Sequence, residues 1–408
     1  MAYLYGNTTG WHRILPNFFT AIKHLFMRRA FLGFLSGGML LVSPGRSIAQ
    51  TDPINVVTSA VPFLRISPDA RAGGMGDLGV ATRPDANAQF YNVSKYAFST
   101  QKSGLALTYT PWLKDLGLTD VYLTTLAGYV KLDEEQAISG SLRYFSLGNI
   151  QFTDNLGNDL QMVRPREFAF DAGYSRKLSD ELSLGVAMRY INSNLAGNSS
   201  VNGVSYKAGN AVAGDVGLYY NRLRQDGTGL SLGVAMTNLG SKIGYTDDAT
   251  ARDFIPANLT LGGVYSMEPN EVNRVSFGLD IHKMMVPTPP ALGDSAGLAA
   301  YRSKGVVGSW FSSFGDAPGG FAEELKEFSF SAGMEYMYNE QFAFRAGYFY
   351  EDRTKGNRQY FSIGTGLKYN VIGLNFSYLL PTGSGVNRNP LSNTIRFSLV
   401  FDFDGGGD

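Results

Sequence analysis

Residues Gly74-Met75-Gly76-Asp77-Leu78-Gly79 have the G-x-G-x-x-G spacing that holds a dinucleotide pyrophosphate when it follows a buried strand and opens a helix. The surroundings do not fit that chemistry. The preceding stretch RISPDARAG is charged and broken by Pro68, and Pro84 arrives before a following helix completes two turns. No Asp or Glu stands between Asp85 and Asp115, where the acid that binds the ribose belongs. These glycines must serve another purpose. The other candidate is His282, two residues after Asp280. A serine hydrolase, such as an outer-membrane lipid or lipopolysaccharide deacylase, needs an imidazole base beside its nucleophile. Of three histidines, His12 and His24 lie near the start of the chain, which leaves His282 alone. It reads as a hydrogen-bonding residue, and no enzyme activity is expected. With no Cys, clustered metal ligands are missing as well, so neither metal nor cofactor is expected.

The chain must next be placed in a compartment. MRRAFLGFLSGGMLLVSPGRSIAQ has a basic pair at Arg28 and Arg29, an apolar run from Ala30 to Val42, and the small-x-small pattern Ser47-Ile48-Ala49. That is an export signal cut after Ala49, and the run is too short to span a bilayer as a helix. Met27 reads as the true start, which makes residues 1–49 a signal peptide with a mis-called upstream extension. Only 17% of the residues are charged, 13% are aromatic and 49 are Gly. The first 49 residues carry five Lys/Arg and no Asp/Glu, leaving 30 basic against 35 acidic residues in the remainder. A nucleic-acid binder driven by basic charge is excluded by that balance.

From Ser103 onward the pattern has period two. In ELSLGVAMRY, Leu182, Leu184, Val186, Met188 and Tyr190 share one face, opposite Ser183, Gly185, Ala187 and Arg189. FSFSAGMEYMY, FAFRAGYFYE and NTIRFSLVFDFD repeat it. Stretches of about ten residues with an apolar face and a small or polar face are the mark of transmembrane strands. Fourteen are expected, starting near residues 103, 119, 136, 166, 181, 211, 228, 257, 272, 326, 341, 359, 371 and 393. Tight turns such as DEE, LSD and NE alternate with longer connections at 149–165, 194–210, 240–256, 285–325, 351–358 and 381–392. Short turns at one end and long loops at the other describe an outer-membrane barrel with both termini periplasmic. A secreted β-sandwich or propeller would not need the alternation. Tyrosines near strand ends, among them Tyr109, Tyr129, Tyr144, Tyr174, Tyr190, Tyr265 and Tyr369, suit interfacial girdles facing outer-membrane lipid. The fold expected is all-β: a membrane-spanning antiparallel up-and-down barrel over 102–404, with a short tail at 405–408.

The face opposite the lipid carries Arg143, Asp171, Arg189, Asp215, Asp280, Glu335, Arg345, Lys368 and Arg396 among Gly, Ser and Ala. Mixed charges in a confined lumen pair with one another or with something that fills it. Residues 50–101 lack a sustained period and are rich in Pro, Gly and small residues. Irregular backbone at membrane depth is tolerated only inside protein or a water-filled cavity. That stretch is therefore expected to be a lumenal plug, with Arg71, Gly73, Gly74, Gly76, Asp77 and Gly79 shaping it. The longest loop, 285–325, holds Trp310, Phe311, Phe314 and Phe321. These either anchor a partner or fold back over the mouth as a lid.

DARAGGMGDLGVA followed by DANAQFYNVSKYAF resembles the N-terminal hatch of the fatty-acid-transporter-like barrels, which are fourteen-stranded. Within that group VPFLRISPDARAGGMGDLGVAT, MTNLGSKIGY and IPANLTLGGVY resemble the PorV family of the type IX secretion system. The resemblance implies association with a very large translocon barrel and binding of secreted cargo that bears a C-terminal signal domain. It also implies delivery to an attachment complex containing a sortase-like protease. The chain departs from the pattern in its extended leader and in ending FDFDGGGD rather than on an aromatic residue. A channel for hydrophobic small molecules, the activity of the wider group, is the alternative, although no isolated Pro interrupts a strand except at ends such as Pro111 and Pro381.

Overall fold

Leu, Val, Phe and Tyr pointing outward alternate with Ser, Gly, Ala and charged residues pointing inward, and the chain closes on itself to keep the two sets apart. In this computed structural model the described residues are 55–113, 117–153, 157–197, 199–201, 204–224, 226–291, 293–382 and 393–404. The expected signal peptide at 1–49 and the tail at 405–408 lie outside them.

Fourteen strands form a closed barrel. They are β1 Ser103–Pro111, β2 Val121–Lys131, β3 Gln136–Leu147, β4 Arg166–Lys177, β5 Leu182–Asn194, β6 Gly209–Leu223 and β7 Gly229–Gly240. They continue as β8 Asn258–Asn270, β9 Asn273–Met284, β10 Phe328–Tyr338, β11 Phe342–Tyr350, β12 Gln359–Tyr369, β13 Ile372–Pro381 and β14 Ile395–Phe403. Each strand pairs antiparallel with its chain neighbour, and β14 returns to β1 with Phe403 opposite Ser103. Strand starts fall within two residues of those expected from the sequence. Closure removes every free edge, the condition for strands to cross a bilayer.

Period two decides which side chain faces where. Along β5, Leu184, Val186, Met188 and Tyr190 are exposed while Ser183, Ala187, Arg189 and Ile191 are buried. The same outward display runs through Leu105, Leu107, Phe170, Leu232, Phe277, Phe344, Ile363 and Phe397. In water so wide an apolar band would be a liability; around a barrel it is the lipid belt. Tyr109, Tyr174, Tyr190, Tyr265 and Tyr369 stand on that outer surface. Tyr129 does not: it points inward, is buried, and stacks on Tyr96 with ring centres 4.7 Å apart.

Short turns close one end of the barrel and long connections the other. Among the long ones, Ile150–Thr153 pairs with Asp159–Val163, Ser200–Val201 with Val204–Ser205, and Ile243–Gly244 with Arg252–Asp253, as small hairpins. The connection between β9 and β10 carries α2 Ser295–Ser303, α3 Val306–Ser312 and α4 Phe321–Lys326. The segment before β1 has three short 3-10 turns, at Pro62–Arg65, Ala88–Phe90 and Val93–Phe98, and one helical turn, α1 Ala70–Gly73. The Asp69 carboxylate caps that turn by accepting from the Ala72 amide at 2.9 Å.

Candidate functional site

The inner wall has a belt of glycines in cross-strand register. Gly185 lies opposite Gly217, Gly233 opposite Gly262, Gly278 opposite Gly333, and Gly333 opposite Gly347. All point inward, and the N-terminal segment passes against them. A Cβ on Gly333 or Gly347 would strike the backbone of Met75, one on Gly233 the carbonyl of Val80, and one on Gly185 the backbone of Ser94. The wall is bare where a second backbone must come close.

The opening glycine run sits against this belt. Gly76 has φ +69° and donates its amide to Ser362 Oγ at 2.8 Å, with no room for a side chain beside Tyr348. Gly73 passes under the Arg396 guanidinium, Gly74 packs on Gly364, and Gly79 lies flat against the Tyr91 ring. Gly79 and Val80 donate their amides to Asp280 Oδ2 at 2.8 and 3.0 Å. Asp77 accepts from Tyr360 and lies 3.4 Å from Arg396.

The expected inward charges divide into two groups. Arg143, Asp280, Glu335 and Arg396 engage the segment. Arg143 donates to the Leu64 carbonyl at 2.9 Å and lies over the Phe90 ring, 4.5 Å from its centre. Arg71 makes a two-pronged contact with Glu335, both bonds 3.0 Å, and reaches Asp85 at 2.7 Å. Arg345 closes on the same Glu335 at 2.7 Å. Arg189 instead bridges within the wall, to Asp171, to Asp215 at 2.8 Å and to Asn238. Eight of the nine charges are buried, and Lys368 pairs with Asp402 at 2.6 Å, half-exposed near the short-turn end. His282 is held by the hydroxyls of Thr260 and Ser331, each 3.1 Å away, so its ring nitrogens are satisfied without Asp280. Among the described residues no three His, Asp or Glu gather as metal ligands.

A second network lies at the long-loop end, and sequence reasoning missed it. Lys283 at the end of β9 is buried between Glu324 at 2.9 Å and Glu327 at 2.5 Å. Lys355, from the β11–β12 loop, reaches Glu327 at 2.9 Å and Glu323 at 2.6 Å. Thr288 bonds Asp316 and Glu327. Tyr301 of α2 packs edge-on against Phe254, and Lys242 donates to the carbonyls of Arg302 and Lys304 at 2.7 and 2.6 Å. Glu351 pairs with Arg358 at 2.7 Å and Arg65 at 3.2 Å. Burial alone would raise its pKa, but the two guanidiniums outweigh burial and hold it below the usual carboxylate range. The only sequence signal was the bunching of Glu323, Glu324 and Glu327 after a Pro/Gly-rich stretch.

The three helices are thus folded down onto the barrel end, yet their outer edge is apolar. Phe311 is 73% exposed and Phe321 77%, beside exposed Val307, Phe314 and Leu325, while Trp310 is half-buried. The loop folds back over the mouth as one of the two expectations had it, and it leaves Phe311, Phe314 and Phe321 exposed. Between cap, segment and wall lies a cavity of about 140 Å³ whose lining includes Arg65, Asp77, Asp280, His282, Glu351 and Arg358.

Residues 49–291 match the family model described as type IX secretion system protein PorV. The chain belongs to that family. No curated protein matches the sequence. Among solved structures the toluene transporter TbuX of Ralstonia pickettii aligns over 82% of this chain and 98% of its own, at 13% identity and TM-score 0.50. The toluene transporter TodX of Pseudomonas putida aligns over 86% of this chain and 98% of its own, at 13% identity and TM-score 0.47. A Pseudomonas aeruginosa FadL homologue aligns over 86% and 99%, at 12% identity and TM-score 0.44. At such identity the TbuX likeness speaks for the fold alone: the fourteen-strand outer-membrane barrel on which this PorV family member is built.

Proposed function

We propose that this protein is a non-enzymatic docking platform of the type IX secretion system, which binds the translocon and collects secreted cargo by its C-terminal signal domain for delivery to the attachment complex. The observation that carries the reading is the contrast between a filled lumen and an aromatic outer edge. On this reading the N-terminal segment is a plug, a role supported by its backbone lying against the glycine belt and by the ion pairs of Arg71 with Glu335 and Arg83 with Glu268. A conduit for folded cargo has no room there. Phe311, Phe314 and Phe321 meanwhile stand on a cap tied down by buried ion pairs, which suits a rigid hydrophobic contact for a partner.

A channel for hydrophobic small molecules is the second reading, drawn from the transport of toluene named for TbuX and TodX. The charged lining of the cavity under the cap argues against it, because an apolar ligand there would press on the Arg65–Glu351–Arg358 ion pairs and on Asp280 Oδ1, which has no hydrogen-bond partner of its own. The deciding experiment is affinity purification of the tagged protein from its own outer membrane in mild detergent, with mass spectrometry of what accompanies it. A very large barrel together with secreted chains sharing a C-terminal domain is the expected result. A lone barrel carrying lipid or fatty acid would replace the platform reading with the channel.

A further inference from the structure

Residues 55–60 of the N-terminal segment are bound to the cap, whereas those after them are bound to the wall. Val57 is buried in one apolar cluster with Phe254, Met284, Val286 and Tyr301 of α2, and Val306 of α3 packs against it. Asn55 donates its amide to the Thr354 carbonyl at 3.1 Å and its side chain to Glu323 of α4 at 3.2 Å. The same Glu323 oxygen accepts from Lys355 at 2.6 Å, so one carboxylate ties segment, cap and β11–β12 loop together. Ala60 donates to the Phe254 carbonyl at 2.9 Å. The partners change at Val61. Val61, Phe63 and Leu64 lie in a separate cluster with Leu123, Phe145 and Ile191 of the wall, and beyond them Arg71 is fixed on Glu335. Val61 has φ +47°, a left-handed backbone that a β-branched residue adopts only under strain.

We propose that the cap is a latch on the N-terminal segment: opening α2–α4 frees residues 55–60, and Val61 is the hinge at which that release stops. Lifting Tyr301 and Val306 uncovers Val57, and moving α4 takes Glu323 away from Asn55. Both ties are lost in one movement. Freeing residues 55–60 also lets Val61 leave its left-handed conformation, which offsets part of the cost. Hinges are commonly a few residues at element ends that absorb a large change in φ and ψ. The glycine run stays behind, held by Ser362, Asp280 and Glu335 rather than by the cap. Coupling of this kind is mutual, so loosening residues 55–60 must loosen the cap in turn. A partner gripping the exposed rings of the cap would act on the segment through it. The latch is a property of the protein alone, so it stands or falls separately from the platform reading.

The chain has no Cys, so a single buried cysteine reports opening by its rate of reaction with a maleimide in the purified protein. Val57→Cys, Ser309→Cys and Leu78→Cys place one each at buried positions in residues 55–60, in α3 and in the glycine run. Lys283→Ala loosens α4 without touching the segment, since the ion pairs of Lys283 are with Glu324 and Glu327. In that background Ser309→Cys and Val57→Cys should both react at least tenfold faster, and Leu78→Cys should change less than twofold. In the opposite direction, Val57→Asp should speed the reaction of Ser309→Cys at least tenfold. Release of Ser309→Cys by Lys283→Ala with Val57→Cys still slow would overturn the latch. Ser309→Cys still protected in Val57→Asp would overturn it too, and that arm decides alone if Lys283→Ala leaves α3 closed. Leu78→Cys reacting as fast as Val57→Cys would overturn the hinge, because the whole segment would then leave as one piece.

Discussion

Two buried charge networks hold this molecule together, and they are built differently. At mid-barrel, Glu335 sits between Arg71 of the segment and Arg345 of the wall, with glycine on either side and no slack. At the mouth, Lys283 and Lys355 are shared among Glu323, Glu324 and Glu327, which come from one helix and the residue after it. In the first network Glu335 is the acid both arginines share, and only Arg71 has a second, Asp85; in the second, three acids serve two lysines. Losing Glu335 should therefore be more damaging than losing one acid at the mouth, because Arg345 then keeps no carboxylate partner among the described residues. The segment is held at Glu335 with little redundancy, and the cap by lysines shared among several acids.

The sharpest break of that contrast is Glu335→Ala. It leaves Arg345 without a carboxylate beside Arg71, which keeps Asp85, a change that costs about 3–5 kcal/mol where buried pairs have been broken. The segment should become accessible to protease and the barrel should conduct ions in planar bilayers. Glu324→Ala, its counterpart at the mouth, should leave conductance near zero, since Lys283 keeps Glu327. Equal conductance from both variants would refute the difference in redundancy.

Gly347→Val tests the wall without touching charge. The added atoms would meet the backbone of Met75 and Gly76 rather than a side chain that can turn away. Overpacking of this kind costs about 1–3 kcal/mol. The same change at Gly305 of the cap, where nothing lies within 4 Å, should be silent. The measurement is the urea midpoint in detergent, and a silent Gly347→Val would mean that the belt is not a seat for the segment.

These glycines also mark how far the sequence could be read. Period two gave every strand, because lipid on one side and packed polar groups on the other impose alternation residue by residue. The inward charges followed from the same parity. Their partners did not: Arg189 bridging Asp171 and Asp215, or Asp280 accepting two backbone amides from the segment, depend on register between distant strands. The place of the dinucleotide-like run against the wall needed the facing glycines of other strands. The cap network was illegible for a related reason. Short helices within a loop bury Glu side chains that by composition alone look solvated. Tyr129 failed the girdle reading because parity, not residue type, decides which way a ring near a strand end points.

A smaller effect is expected from the cap edge. The pair of substitutions Phe311→Ala and Phe321→Ala removes rings that are largely exposed and should change stability by no more than about 0.5 kcal/mol. Anchors at an interface commonly contribute about 2 kcal/mol or more, so recovery of cargo with the tagged protein should fall at least tenfold. Unchanged recovery would move the cargo contact away from the cap and leave the filled lumen unexplained by it.

Acid provides the mildest probe of the same comparison. Glu351 is ionised in the folded cap with its pKa held down by Arg358 and Arg65, after burial has pushed the other way. A carboxylate so depressed stabilises the fold fully above its unfolded value, about 4.3, and loses that contribution as pH falls through the lower folded value. Protease sensitivity of the cap should therefore be flat from pH 8 to about pH 5 and rise only below that. Glu351→Gln removes the charge at every pH, so it should show the raised sensitivity already at pH 7 and little further change on acidification. A cap that loosened between pH 7 and 5 would point to a group other than Glu351, and the mouth would then respond to milder acid than its arginine pairs permit.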